Sequence, residues 1–328
     1  VGTDISLRLS PQSTLKAGAK YIYNHMDDNA LYEGFQSGVW STAADYSLMQ
    51  KYTENIGAAY GVFNSKLGKI TYQVGLRGEY THTRPNVTRL NGNDTTYTKD
   101  FFSLFPNANI SVPLNEKQSN SLILAYSRKI SRPSFWAMNP FKVKINEYTY
   151  IVGDPFLRPS YINDFSVSLV LSHKYNFSAG MMLQENSISQ VVMVDPDNPD
   201  MMMYKHSNVA DRWMYYISLN APVNITSWMT LNTNLTTFRQ KIKLTPDAPY
   251  DKDLVFNANI NSSITLPKKF YIDAGYFYMS SNRAGNMVMK PQYDFNFGIK
   301  KRFMKDRFTA SFNVYNIPDN DSKTYINI

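Results

Sequence analysis

The chain has 328 residues and a net charge of +8, yet only 18% of its residues are charged, fewer than the roughly 25% of ordinary soluble chains. It contains no cysteine, which excludes a disulfide framework and thiolate metal sites. Lys and Arg are scattered along it, so the positive balance does not mark a nucleic-acid partner. No run of 18 or more apolar residues occurs. That excludes a transmembrane helix but not a barrel, which crosses with short alternating segments.

A period of two, the mark of a strand with unlike faces, begins at once. In DISLRLS, Ile5, Leu7 and Leu9 share a face. LKAGAKYIYN sets Leu15, Ala17, Ala19, Tyr21 and Tyr23 against Lys16, Gly18 and Lys20. NIGAAYGVF groups Ile56, Ala58, Tyr60 and Val62 as an apolar face. YQVGLRGEY sets Tyr72, Val74, Leu76 and Tyr80 against Gln73, Gly75, Arg77 and Glu79. NANISVPL, SLILAYS, FSVSLVLS, NFSAGMMLQ, WMYYISLNA and MTLNTNL repeat the pattern. LVFNANINSSITL states it most clearly, with Leu254, Phe256, Ala258, Ile260, Ile264 and Leu266 opposite Asn257, Asn259, Asn261, Ser263 and Thr265. FYIDAGYFY, YDFNFGIKKRF and RFTASFNVY complete the series. Helical periodicity appears nowhere over a useful length. The expected class is all-β: about fourteen antiparallel strands of 10–16 residues, in one domain over residues 1–328.

The connections alternate in length. SPQST, NSKLGK, LNEKQS, SHKYN, VNITSW, LPKKF and FMKDR are short and polar. Between them lie longer segments near 26–47, 84–97, 130–160, 195–201, 242–252 and 281–289. Short periplasmic turns at one end and long extracellular loops at the other describe an outer-membrane barrel. The apolar faces carry Tyr21, Tyr23, Tyr80, Tyr126, Tyr276, Tyr278, Phe295 and Phe297 towards strand ends, as interfacial aromatic girdles do. A soluble β-rich binding module with a Tyr-rich core is the competing reading. It would have to find partners for many buried hydroxyls.

The most distinctive connection runs from Tyr126 to Leu169. Pro133, Pro140, Pro155 and Pro159 bar ladder pairing there. Phe135, Trp136, Phe141 and Phe156 supply apolar anchors, so an ordered, packed loop is expected. The blocks YSRKISRPSFWAMNPF and YIVGDPFLRPSY, with Tyr126, Ser127, Arg128, Arg132, Pro133, Asn139, Pro140, Phe141, Gly153, Pro155, Leu157, Pro159 and Tyr161, resemble the barrel region of TonB-dependent receptors from Bacteroidetes. More narrowly, they resemble the outer membrane protein beta-barrel family. GLRGEYTHT, residues 75–83, is similar to a strand of that family. The resemblance implies a 22-stranded barrel with a plugged lumen, TonB as energy-supplying partner, a Gram-negative outer-membrane location and, in some members, a surface lipoprotein partner. No plug or TonB box precedes Val1, so the chain is expected to be part of a larger protein.

No enzyme chemistry is expected, and no cofactor. His25, His82, His173 and His206 are far apart, with no carboxylate at helical or hairpin spacing, and are read as surface or strand-end residues. Asp195–Asp200 lacks the calcium-loop spacing and is read as a solvated turn. Met201–Tyr204 is read as a strand start. Candidate loop residues for solute contact are Arg128, Arg132, Trp136, Phe141, Phe156 and Arg158. Candidate lumen-facing charges are Arg77, Glu79, Asp273, Asp294, Lys300 and Arg302. They would meet plug or solute, or satisfy one another across strands. The leading expectation is a receptor barrel for TonB-dependent solute uptake. The alternative is a passive porin-like channel or a structural outer-membrane protein.

Overall fold

The computed structural model describes residues 1–43, 47–89, 94–209, 211–243, 251–317 and 324–326. From the N-terminus come β1 (Gly2–Ser10), β2 (Ser13–Ala30) and a loop hairpin of β3 (Glu33–Gln36) and β4 (Val39–Thr42). β5 (Leu48–Leu67) and β6 (Ile70–Arg89) follow, with β7 (Asp94–Thr96) folded back on β6, then β8 (Lys99–Pro113) and β9 (Ser121–Ser131). A helical turn, α1 (Phe135–Met138), and the hairpin β10 (Val143–Asn146) and β11 (Thr149–Val152) lead to β12 (Ser160–Leu171) and β13 (Tyr175–Glu185). The hairpin β14 (Ile188–Val194) and β15 (Met202–Asn208) precedes β16 (Arg212–Thr226), β17 (Met229–Ile242), β18 (Asp251–Leu266) and β19 (Phe270–Met279). Last come the hairpin β20 (Asn282–Ala284) and β21 (Met287–Met289), then β22 (Gln292–Phe303), β23 (Phe308–Val314) and β24 (Thr324–Ile326).

Fourteen of these strands form one antiparallel wall in chain order, β1-β2-β5-β6-β8-β9-β12-β13-β16-β17-β18-β19-β22-β23. The wall is open: among the described residues β1 and β23 are its edges. Connections at one end are short, at 11–12, 68–69, 114–120, 172–174, 227–228, 267–269 and 304–307. Connections at the other end are long and hold the small hairpins and α1.

β2, with 18 residues, and β5 and β6, with 20 each, exceed the expected lengths. The outer face of β6 explains this. Its apolar stretch is bracketed by Tyr72 and Tyr80, about 26 Å apart along a strand, which suits the apolar band of a membrane barrel. Beyond Tyr80 the same face turns polar through His82, Arg84 and Asn86, so the hairpin continues past the band. Tyr21, Gly57, Tyr80 and Phe102 stand side by side across four strands, which puts three exposed aromatic rings on one level. Large apolar side chains lie bare over this whole face, among them Leu76 (51% exposed), Phe102 (65%) and Leu254 (73%). An apolar belt of that extent is a lipid-contact surface.

On β5 the expected face is inverted. Ala58 pairs with Glu79 and Tyr60 with Arg77, so Ile56, Ala58, Tyr60 and Val62 stand on the inner, polar face of the wall. The outer face of β5 carries Gly57, Ala59, Gly61 and Phe63. Neither face of this strand is clearly polar below Asn55, so alternation alone does not orient it, whereas register with β6 does.

Candidate functional site: the mouth of the wall

The buried apolar core lies at the mouth, where the long loops meet the upper inner wall. Tyr52 of β5 packs with Phe135, Ala137, Met138 and Leu157, and Ile188 leans on them. Val87 packs with Phe141.

The local sequence dictates this knot. Pro133 ends the ladder, and the Ser134 side chain accepts from the Ala137 amide at 3.1 Å, capping α1. A four-residue turn has two sides. Phe135, Ala137 and Met138 go inward, and Trp136 is left 62% exposed. Two separated parts of the signature then meet. The Gly153 amide donates to the Asn139 carbonyl at 2.7 Å and the Asp154 amide to the Ala137 carbonyl at 2.8 Å. A Cβ on Gly153 would lie 2.5 Å from both the Ala137 and Asn139 carbonyl oxygens, so only glycine permits the approach. Lys99 Nζ fastens the far side by donating to the carbonyls of Pro155 (2.6 Å) and Leu157 (2.9 Å).

Arg132 ties the knot to the wall. Its guanidinium contacts Glu79, lies 3.8 Å from Glu54 and donates to Thr81 at 3.4 Å. Glu79 is 1% exposed and also contacts Arg77. Glu54 accepts from Asn24 (2.8 Å) and from the Tyr52 hydroxyl (3.2 Å). Two guanidinium groups thus face two carboxylates, which is what permits charge at a buried site.

The loops carry their own sheet, β10-β11-β15-β14, in which β11 and β15 run parallel. Asp195 closes it. It is buried, and its carboxylate accepts from Tyr150 Oη (2.7 Å), Lys142 Nζ (3.0 Å) and the Asp197 amide (3.0 Å). The Tyr150 hydroxyl bond, the Asp197 amide and Lys142 together hold this carboxyl below the usual range. Burial and the neighbouring carboxylate push the Tyr150 hydroxyl up. Asp195 is therefore not part of a solvated turn, although Asp197–Asp200 are exposed.

The hairpin β20–β21 clips onto the edge of β14. Asn286 accepts from the Val192 amide at 2.9 Å and donates to its carbonyl at 2.7 Å. Gly285, at φ +62°, sits so close that a Cβ would meet the Gln190 carbonyl oxygen at 2.3 Å. Beside this hairpin is a cavity of about 480 Å³ whose lining includes Gln190, Arg212, Gln240, Arg283, Met287 and Met289. Arg212 donates to Gln240 at 2.7 Å, while its Nε is buried without a partner.

The sequence candidates divide. Arg132 and Phe141 lie in the packed knot. Arg128 is not a loop residue: it belongs to β9, with its guanidinium over the Tyr161 ring at 4.9 Å and 3.5 Å from Glu185. Trp136 and Phe156 are not anchors, because both point outward; Phe156 meets Tyr97 edge-on at 5.1 Å. Arg158 is exposed, and its main chain is held by Asn208. Arg77, Glu79, Asp273, Asp294, Lys300 and Arg302 share the inner face by register. Asp273 accepts from Ser263 (2.9 Å), Asp294 from Asn296 (2.9 Å), and Lys300 and Arg302 lie over the Tyr271 ring. Two histidines do have carboxylate neighbours: His82 meets its cross-strand partner Asp100 at 2.7 Å, and His25 lies 3.3 Å from Asp27. The His82–Asp100 pair, 18 residues apart in the chain, leaves no spacing signal, whereas His25 and Asp27, two apart on one strand, share a face by the two-residue period and were overlooked. Sequence reading also missed Glu54, Lys99 and Asp195. A charged residue alternating with inner-face positions was the available signal for Glu54, but Lys99 and Asp195 had none.

This geometry is that of a membrane-spanning antiparallel wall with a structured mouth, the class formed by outer-membrane β-barrels. The chain belongs to the outer membrane protein beta-barrel family, whose model matches residues 1–327. No curated protein matches it in sequence. Among solved structures it is similar to the copper transporter OprC (TM-score 0.70, 12% identity, covering 97% of this chain and 50% of that one). It is also similar to the siderophore receptor PiuA from Acinetobacter baumannii (0.68, 13%, 97% and 50%). The siderophore receptor PirA from Pseudomonas aeruginosa is a further neighbour (0.53, 12%, 99% and 71%). At such identity the likeness is one of fold, and the chain spans about half the length of the first two. No described helix is long and apolar enough to cross a membrane; the strands make the crossing.

Proposed function

We propose that this chain is the greater part of the barrel of an outer-membrane receptor that takes up a solute with energy from TonB, the full protein having a plug within its lumen. The observation that carries this reading is the Arg132–Glu79 contact, which ties the signature loop to the inner wall and makes the mouth a built structure. A passive pore requires only an open one. The receptor and transporter folds it resembles support the same reading. Trp136, Phe156 and Arg158, exposed at the long-loop end, would meet the arriving solute, and a surface lipoprotein would dock at that extracellular end. Arg77, Asp273, Asp294, Lys300 and Arg302 would face plug and solute, while Glu79, buried against Arg132, would hold the mouth in place. The open edges at β1 and β23 argue for further wall strands, since unpaired peptide groups in hydrocarbon cost several kcal/mol each. The test is liposome swelling with the full-length protein and arabinose or stachyose. The receptor reading expects no swelling with the intact protein and rapid swelling once the plug is deleted. Immediate swelling with the intact protein would establish the passive channel instead.

A further inference from the structure

The two ends of the wall differ in charge. The seven short turns hold seven Lys or Arg against two carboxylates, Glu116 and Asp306. The described residues of the long connections, at 31–43, 47, 94–98, 132–159, 186–209, 211, 243 and 280–291, hold eight against eight. The excess is densest in two neighbouring turns, 267–269 and 304–307, which bring Lys268, Lys269, Lys305 and Arg307 to the rim. These turns join strands that lie side by side, β18–β19 and β22–β23. Only Lys269 is paired with a carboxylate, Asp306 at 2.8 Å.

Directly above the rim, the outer face is apolar and bare. Phe303, Phe308 and Phe312 are 42%, 61% and 63% exposed, and Met304 in the turn is 71% exposed. Lys301 stands among them on the outer face, opposite Phe270 and Ala310, with its ammonium 3.9 Å from the Phe270 ring centre and 5.2 Å from that of Phe303. Its stem lies along apolar surface, and its head is placed to reach the rim. Lys300 and Arg302, by contrast, stand on the inner face over Tyr271. Acyl-chain surface above and unpaired ammonium and guanidinium groups below are the two halves of one ligand.

We propose that the outer rim formed by Lys268, Lys301, Lys305 and Arg307 binds the headgroup of an anionic phospholipid in the leaflet met by the short turns, its acyl chains lying on Phe303, Phe308 and Phe312. A cation near an anionic surface contributes about a five-fold gain in affinity, and the attraction weakens as salt rises.

The test uses the full-length receptor in neutral detergent, with lipid adducts counted by native mass spectrometry. The probes are phosphatidylglycerol, phosphatidylcholine and inorganic phosphate. Phosphatidylglycerol should be retained at least about ten-fold better than phosphatidylcholine, and millimolar phosphate should not displace it. K268Q/K301Q/K305Q/R307Q should lower that retention by about 600-fold, and K300Q/R302Q should leave it unchanged. Equal retention of both lipids, displacement by phosphate, or a quadruple variant that binds as before would overturn the proposal. Folding is checked by heat-modifiable gel mobility. If the quadruple variant does not fold, K301Q and R307Q should each lose about five-fold, and no loss in either would overturn the proposal equally.

Discussion

β18 and β5 both alternate with a period of two, and each pairs on both sides within the same wall. In β18 the alternation is one of polarity: Ile260 faces out and Asn259 faces in. In β5 it is one of size: Gly57, Ala59 and Gly61 face out, and Ile56, Tyr60 and Val62 face in. Lipid requires only that a side chain be uncharged and lack unmet polar groups, and glycine and alanine qualify as well as leucine. The inner face carries apolar groups where another part of the chain covers them. Tyr52 and Ile56 are 9% and 5% exposed, and Tyr52 lies under α1. The face of a wall strand is therefore set by what its neighbours forbid, not by which of its own sides is greasier.

The largest test of that statement is an arginine scan of both strands. Ile260→Arg is expected to cost about 3 kcal/mol of folding free energy in lipid, and Asn259→Arg little. If register decides, Ala59→Arg on β5 should cost about 2 kcal/mol although it replaces only a methyl group. Ala58→Arg, beside Glu79, should cost much less. A folding titration into vesicles that ranks Ala58→Arg as the worse of the two would break the orientation given to β5.

Fold class, strand order and the alternation of short and long connections were legible because each wall strand repeats a pattern tied to the two-residue period. That Arg77, Glu79, Asp273, Asp294, Lys300 and Arg302 share one face of the wall was legible for the same reason. The mouth was legible only in part. Prolines and aromatic residues announced an ordered block over 130–160. Which rings turn inward depended on the four-residue length of α1, which left Trp136 outside, and on the separate turn at 154–157, which left Phe156 outside. Partners brought together by the fold across 50 or more residues, such as Lys99 with Pro155 or Lys142 with Asp195, leave no local mark. The strand ends were misjudged because β5 and β6 continue as a ribbon beyond the apolar band, where alternation persists without lipid.

A smaller effect should separate the mouth from the wall. Gly153→Ala places a methyl group against two backbone carbonyls that cannot step aside, at a cost of about 2 kcal/mol. That cost should fall on the loop alone. Hydrogen exchange is expected to quicken across 132–159 while β18 and β19 keep their protection. Unchanged exchange in that block would mean that the Asn139–Gly153 contact does not hold the loop down.

The smallest difference expected is between two glycines on adjacent strands. Gly18 of β2 faces inward and pairs with Tyr60. A Cβ there would lie 2.6 Å from the Tyr60 ring and from Asp4 Oδ1. Tyr60 donates to that carboxylate, so an added methyl group would push the ring off its acceptor. Both neighbours are the ends of side chains and can move, which keeps the cost to about 1 kcal/mol. Gly57 of β5 faces outward between Tyr21 and Tyr80, yet nothing lies within 4 Å of the Cβ it lacks. Tyr21 instead reaches along the strand to Asn55, at 2.6 Å. Alanine at 57 fills open lipid-facing space and removes the excess backbone freedom of glycine, a gain of about 0.5 kcal/mol. The two substitutions are chemically identical and differ only in the face that receives them. Gly18→Ala should therefore destabilise and Gly57→Ala should stabilise in the same vesicle-folding titration. A loss at both positions would show that the rings of Tyr21 and Tyr80 close over Gly57, and that the outer face of β5 is as tightly filled as the inner one.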